Sequence, residues 1–193
     1  MSDAYLAGNP ADESQIKSWV DTFHKQGFLF LEDVLPQDWC AELRDDLDRA
    51  LSEDPDGLNV NAAHARLCHR MFEHSPANLR LFDVEPIVSL AEAIIPHSCH
   101  VIHNNSFQTP PGGGLTTWHQ DDPAHYIVTE GEPPLNVHLP VLFFTANYYL
   151  TDVTEVEHGS TECIPGSHLF GAPSPTNLSG TEWEPLIHPN LGK

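Results

Sequence analysis

The chain has 193 residues, enough for one domain with a sizeable core, and 40% of them are hydrophobic. Twenty-eight acidic against eight basic residues leave a formal charge of −20. A field of that sign repels phosphate backbones and anionic bilayers, which excludes nucleic acid and membrane surfaces as partners.

The spacings of Cys40, Cys68, Cys99 and Cys163 fit neither a zinc ribbon nor a redox CxxC pair. They read as reduced core residues of a cytoplasmic protein. The first ten residues hold no apolar signal core, and the longest apolar run, Pro140–Phe144, is too short to cross a bilayer. Thirteen histidines make metal chemistry worth testing.

In chain order, Ile16, Trp19, Val20 and Phe23 have helical spacing over Glu13–Gln26, with Ser14 as the expected cap and Gly27 as the stop. Phe28–Leu31 reads as a short buried strand. A second helix runs from Pro36 to Leu51 along a stripe of Trp39, Cys40, Leu43, Leu47 and Leu51. Asp54–Asn61 reads as a loop. His64–Phe72 and Asn78–Ile95 are expected to be largely helical, with breaks at Pro76 and Pro86. From Cys99 onward the pattern turns to short β-type runs: Cys99–Thr109, Leu115–Asp121, Leu142–Leu150 and Thr161–Ile164. Helices first and strands second predict an α+β fold whose β part is an antiparallel sandwich or jelly roll. One domain is expected over 1–193: a helical part at 1–98, a β part at 99–170 and a loop at 171–193. Too few strands are present to close a jelly roll, so the C-terminal strands are expected to be missing.

The chemistry centres on Trp118-His119-Gln120-Asp121. Residues i and i+2 of a strand share a face, so His119 and Asp121 can offer an imidazole and a carboxylate to one ion. These are two of the three ligands of a 2-His-1-carboxylate site for ferrous iron. By chance spacing alone, a surface hydrogen-bonded pair at a strand end is the commoner explanation, the metal reading holding in roughly one case in ten. Asn104, Ser106 and Gln108 form a polar line on one strand face, either touching cosubstrate or simply solvated. His125 and Tyr126 line a substrate mouth or an ordinary loop. His64, Cys68, His69 and His74 read as a structural helix rather than a zinc site. Pro110-Pro111-Gly112-Gly113-Gly114 lacks the lysine and following helix of a phosphate loop.

Three further segments accompany the Trp118–Asp121 run: Asn147–Thr154, His158-Gly159-Ser160-Thr161 and Pro165-Gly166-Ser167-His168. With Gly27–Leu35 as an opening, this ordered set resembles the phytanoyl-CoA dioxygenase family over about Ile16 to His168. The resemblance implies a double-stranded β-helix of cupin-like type, with N-terminal helices packed on it. It implies Fe(II) as metal, 2-oxoglutarate as cosubstrate, O2 as oxidant and a small organic molecule as the substrate hydroxylated. His119 and Asp121 take the ligand positions, and the presence of Asp121 favours hydroxylation over halogenation.

In similar proteins the second histidine lies beyond the Pro165–His168 turn and is followed by an arginine that grips the cosubstrate carboxylate. Here Arg44, Arg49, Arg66, Arg70 and Arg80 all precede His119, and Lys193 is the only basic side chain after it. A truncated member is therefore expected, with its third ligand beyond Lys193. His168 reads as part of a structural turn. His188 is the substitute within the chain, although Pro189 does not suit a central strand. Two alternatives stay open. One is a non-catalytic binding module on the same scaffold. The other is a cupin-type metal enzyme that does without 2-oxoglutarate.

Overall fold

A computed structural model describes residues 11–53, 59–60, 65–95, 99–114, 118–119, 140–169 and 177–192. Helix α1 spans Glu13–Gln26, as its apolar spacing predicts. Its cap is Asp12 rather than Ser14: the carboxylate accepts from the Gln15 amide at 2.9 Å, and the Ser14 hydroxyl donates to the same oxygen at 2.6 Å. A carboxylate also complements the positive end of the helix, which a hydroxyl does not. These bonds hold the Asp12 carboxyl below the ordinary carboxylate range, Ser14 contributing most.

Helix α2, Gln37–Glu53, is the spine of the core. Its stripe divides between two clusters. Cys40 and Leu43 pack with Val34, Leu35, Ala77 and Val84, bordered by Leu31, Trp39, Tyr148 and Leu150. Leu47, Ala50 and Leu51 pack with Cys68 and Met71. Desolvation in the first cluster pushes the Cys40 thiol and the Tyr148 phenol up, which keeps both neutral. The Arg44 guanidinium donates to the Leu150 carbonyl and ties the 147–150 segment to α2.

Strands β1 (Asn59–Val60), β2 (Arg66–Cys68) and β3 (Ser106–Gln108) form an antiparallel sheet in that order. Arg66–Cys68 is thus a strand where helical spacing was expected. Leu67 and Cys68 are buried by contacts from α2 and β3, and that tertiary burial overrides a weak local preference. Helices α3 (Pro76–Arg80) and α4 (Ile87–Ile94) follow the sheet's second strand. Pro76 begins α3 instead of breaking it, because the first turn needs no amide donor, and the Ser75 hydroxyl caps the Asn78 amide at 3.1 Å.

Strands β4 (Glu162–Cys163) and β5 (His188–Pro189) form a second antiparallel pair. The expected loop at 171–193 therefore contains a strand. Pro189 is tolerated there for a specific reason. The Asn190 amide donates to the Thr161 carbonyl at 2.9 Å, so the Glu162/Pro189 pair beside it is the non-hydrogen-bonded kind, where a missing N–H costs nothing. Val153 and Gly192 then exchange both backbone hydrogen bonds, at 2.9 and 2.8 Å. Gly192 admits the Phe30 ring, whose Cζ would stand 2.6 Å from a Cβ there.

The architecture is α+β, as expected, but the described residues contain no closed barrel, and the jelly roll is not seen. Phe28–Leu31 and Leu142–Leu150, both expected as strands, have no regular ladder among the described residues. Their apolar composition is real, but composition supplies no partner, and a strand exists only when its amides are paired. Leu142 and Phe143 are more than half exposed, while Phe144 packs on Phe23 of α1 at 5.8 Å between ring centroids.

Candidate metal site

Of the two expected ligands, His119 is described and exposed, following a half-buried Trp118. Asp121 lies outside the described residues, as do Gln120, His125 and Tyr126. Among the described residues no group of three metal-capable side chains converges.

The polar line on β3 faces the helices. Gln108 accepts from Arg66 at 3.0 Å and donates to Asp48 of α2 at 2.8 Å. Arg66 also donates to the Leu51 carbonyl at 2.9 Å, so one guanidinium joins sheet and helix. Asn104 donates to Asn78 at 3.3 Å, and its own Oδ1 is buried with no partner among the described residues. Asn78 in turn donates to Ser75 at 3.2 Å. Burial alone would push the Asp46 carboxyl up, but hydrogen bonds from Ser75 and Arg49 outweigh it and hold the group low. The result is a polar seam from α2 through α3 to the start of β3. Both ends of the Gln108 amide are spent on the protein frame.

The Pro165–His168 turn docks on the C-terminus of α1. The Gly166 amide donates to the Gln26 carbonyl at 2.8 Å, and His168 Nε2 bonds to the His24 carbonyl at 2.9 Å. With the Gly27 amide on Phe23, three of the helix's terminal carbonyls are satisfied. His168 therefore serves the frame, as its place in a turn predicts. His188 lies on β5 opposite Cys163, with its ring 6.1 Å from that of Phe28.

All five arginines of the chain have protein partners. Arg44 is on the Leu150 carbonyl, Arg49 on Asp46 and the His74 carbonyl, and Arg66 on Gln108 and Leu51. Arg70 pairs with Glu73, and Arg80 pairs with Glu42 and lies over the Trp39 ring at 4.8 Å.

A family model described as phytanoyl-CoA dioxygenase (PhyH) matches residues 23–185, a span that opens on the end of α1 and includes the Trp118–Asp121 run. The chain belongs to the phytanoyl-CoA dioxygenase family. Over 182 residues it is 26% identical to the ectoine dioxygenase of Halomonas elongata. That match covers 87% of this chain and 50% of the relative, so the chain spans about half the length of the curated relative it matches. Among the described residues no helix is long and apolar enough to cross a membrane.

Strand β4 falls within the expected run Thr161–Ile164, but its partner β5 and the clamp on α1 went unread in the sequence. Gly27 and Gly166, both at positive φ, were the available signals of the clamp. A turn glycine advertises its own geometry but not what docks against it.

Proposed function

We propose that this protein is an Fe(II)- and 2-oxoglutarate-dependent dioxygenase that hydroxylates a small organic molecule. His119 and Asp121 are the imidazole and carboxylate that hold the metal. The observation that carries the reading is the family match over residues 23–185, which contains the His-x-Asp pair at the spacing two ligands on one strand face require. The donor set fits ferrous iron, being one imidazole and one carboxylate with no thiolate. When bound, iron and 2-oxoglutarate together supply the oxidising power for a C–H bond. The chain's own part is to present the two donors in register and to hold β3 and its lead-in rigid through the Arg66–Gln108–Asp48 bonds. Cosubstrate contact at Asn104 would have to use its Oδ1, because its Nδ2 is already bonded to Asn78 of α3. The scarcity of basic side chains favours a substrate without phosphate groups. Four free thiols accord with a cytoplasmic location.

Anaerobic titration with Fe(II) and 2-oxoglutarate tests the assignment. A visible charge-transfer band is expected, lost in His119→Ala and in Asp121→Ala. A band that survives both substitutions would refute the ligand pair. Succinate formation coupled to oxygen uptake separates this chemistry from a cupin-type enzyme that needs no cosubstrate.

A second reading, a binding module without turnover, is favoured by the arginines. Each already has a protein partner, so a cosubstrate carboxylate would have to displace one. Metal binding without succinate production supports that reading.

A further inference from the structure

The face of the β4–β5 pair carries a second chemical cluster. Cys163 and His188 are direct cross-strand partners, so their side chains stand on one face with Cβ atoms about 4.5–5.5 Å apart. Asn190, two residues after His188, shares that face, and its Nδ2 donates to Cys163 Sγ at 3.6 Å. Cys163 is half-buried and free of disulfide, while His188 is exposed. A thiol with a neighbouring imidazole to take its proton and an amide donor on its sulfur has the ingredients of an activated nucleophile.

We propose that Cys163 is a peroxide-reactive thiol served by His188 and Asn190. His188 takes the thiol proton and Asn190 steadies the charge left on sulfur. Sulfur attacks one oxygen of hydrogen peroxide, an S–O bond forms and the O–O bond breaks. The leaving hydroxide takes the proton from the imidazole and departs as water. Sulfur loses two electrons, peroxide gains them, and the product is a sulfenic acid at Cys163. This reading is independent of the proposed iron site and leaves His188 out of it.

Cys99 is the internal control. It is the exposed cysteine, so access alone would make it the fastest. Its sulfur donates instead to the Ala91 and Ile95 carbonyls, each at 3.4 Å. The whole chain is treated with hydrogen peroxide in the presence of a metal chelator, trapped with dimedone and mapped by mass spectrometry. Cys163 is expected to label about tenfold faster than Cys99. His188→Gln is expected to slow Cys163 about tenfold and leave Cys99 unchanged, with a smaller drop for Asn190→Ala. Cys99 labelling ahead of Cys163, or a Cys163 rate unmoved by His188→Gln, overturns the proposal. Should the variant unfold, the buried Cys40 and Cys68 become labelled too, and the rate comparison in the unsubstituted protein decides.

Discussion

The imidazole of His168 occupies the space a side chain on Gly27 would need: a Cβ there would stand 2.5 Å from His168 Nδ1. Gly27 has φ +86°, the left-handed region that ends helices, and the histidine arrives from 141 positions further along the chain to bond the His24 carbonyl. Two segments that the family motifs place far apart are thus one joint.

Gly27→Ala is expected to destabilise the protein by about 2 kcal/mol or more, from left-handed strain plus the collision. His168→Ala removes the collision but also the bond to His24. In a double-mutant cycle by denaturant unfolding, the pair should couple favourably, the double variant losing less than the sum. Strict additivity would show that the joint does not form.

Leu51 is fully buried in the cluster with Met71 and Cys68, so Leu51→Ala should cost about 2–5 kcal/mol. Leu186, nearly half exposed, is the matched control and should change stability by less than about 0.5 kcal/mol on the same substitution. Equal losses at the two sites would contradict the placement of the core.

Asp12 and Asp46 both ionise below the ordinary carboxylate range in the fold. A folded-state value depressed in this way contributes stability above the unfolded value, near 3.9. That contribution disappears as pH falls through the lowered folded values. Asp46→Asn should therefore flatten the acid limb of the stability curve measured by thermal melting, while leaving its shape above pH 6 little changed. A steeper acid limb in the variant would reverse the sign assigned here.

A formal charge of −20 on 193 residues makes self-repulsion a general load on the folded state. At 1 M salt the screening length shortens to about 3 Å. The ion pairs among the described residues, such as Lys17–Asp21 and Arg49–Asp46, are exposed or partly exposed and individually weak. Screening should relieve more repulsion than attraction, so the melting temperature is expected to rise from low salt to 1 M sodium chloride. A fall would mean that the ion pairs outweigh the net charge.

The sequence by itself determined α1 and α2, because an amphipathic stripe is a local property that repeats every turn, although the cap of α1 fell on Asp12 rather than Ser14. It also determined the family, since an ordered set of motifs survives without knowledge of contacts. The His119/Asp121 pair rests on spacing alone, since Asp121 lies outside the described residues.

Only tertiary structure decided the rest. Arg66–Cys68 became a strand through burial between α2 and β3, against its helical spacing. The Gln108 amide, open to either role in sequence, was committed to Arg66 and Asp48 by the packing of β3 on α2. His188 was placed opposite Cys163, with Pro189 accommodated by register. Each of these outcomes depends on a partner dozens of residues away. Hydrogen-bond satisfaction and burial are properties of pairs of segments, and no local pattern encodes which pair will form.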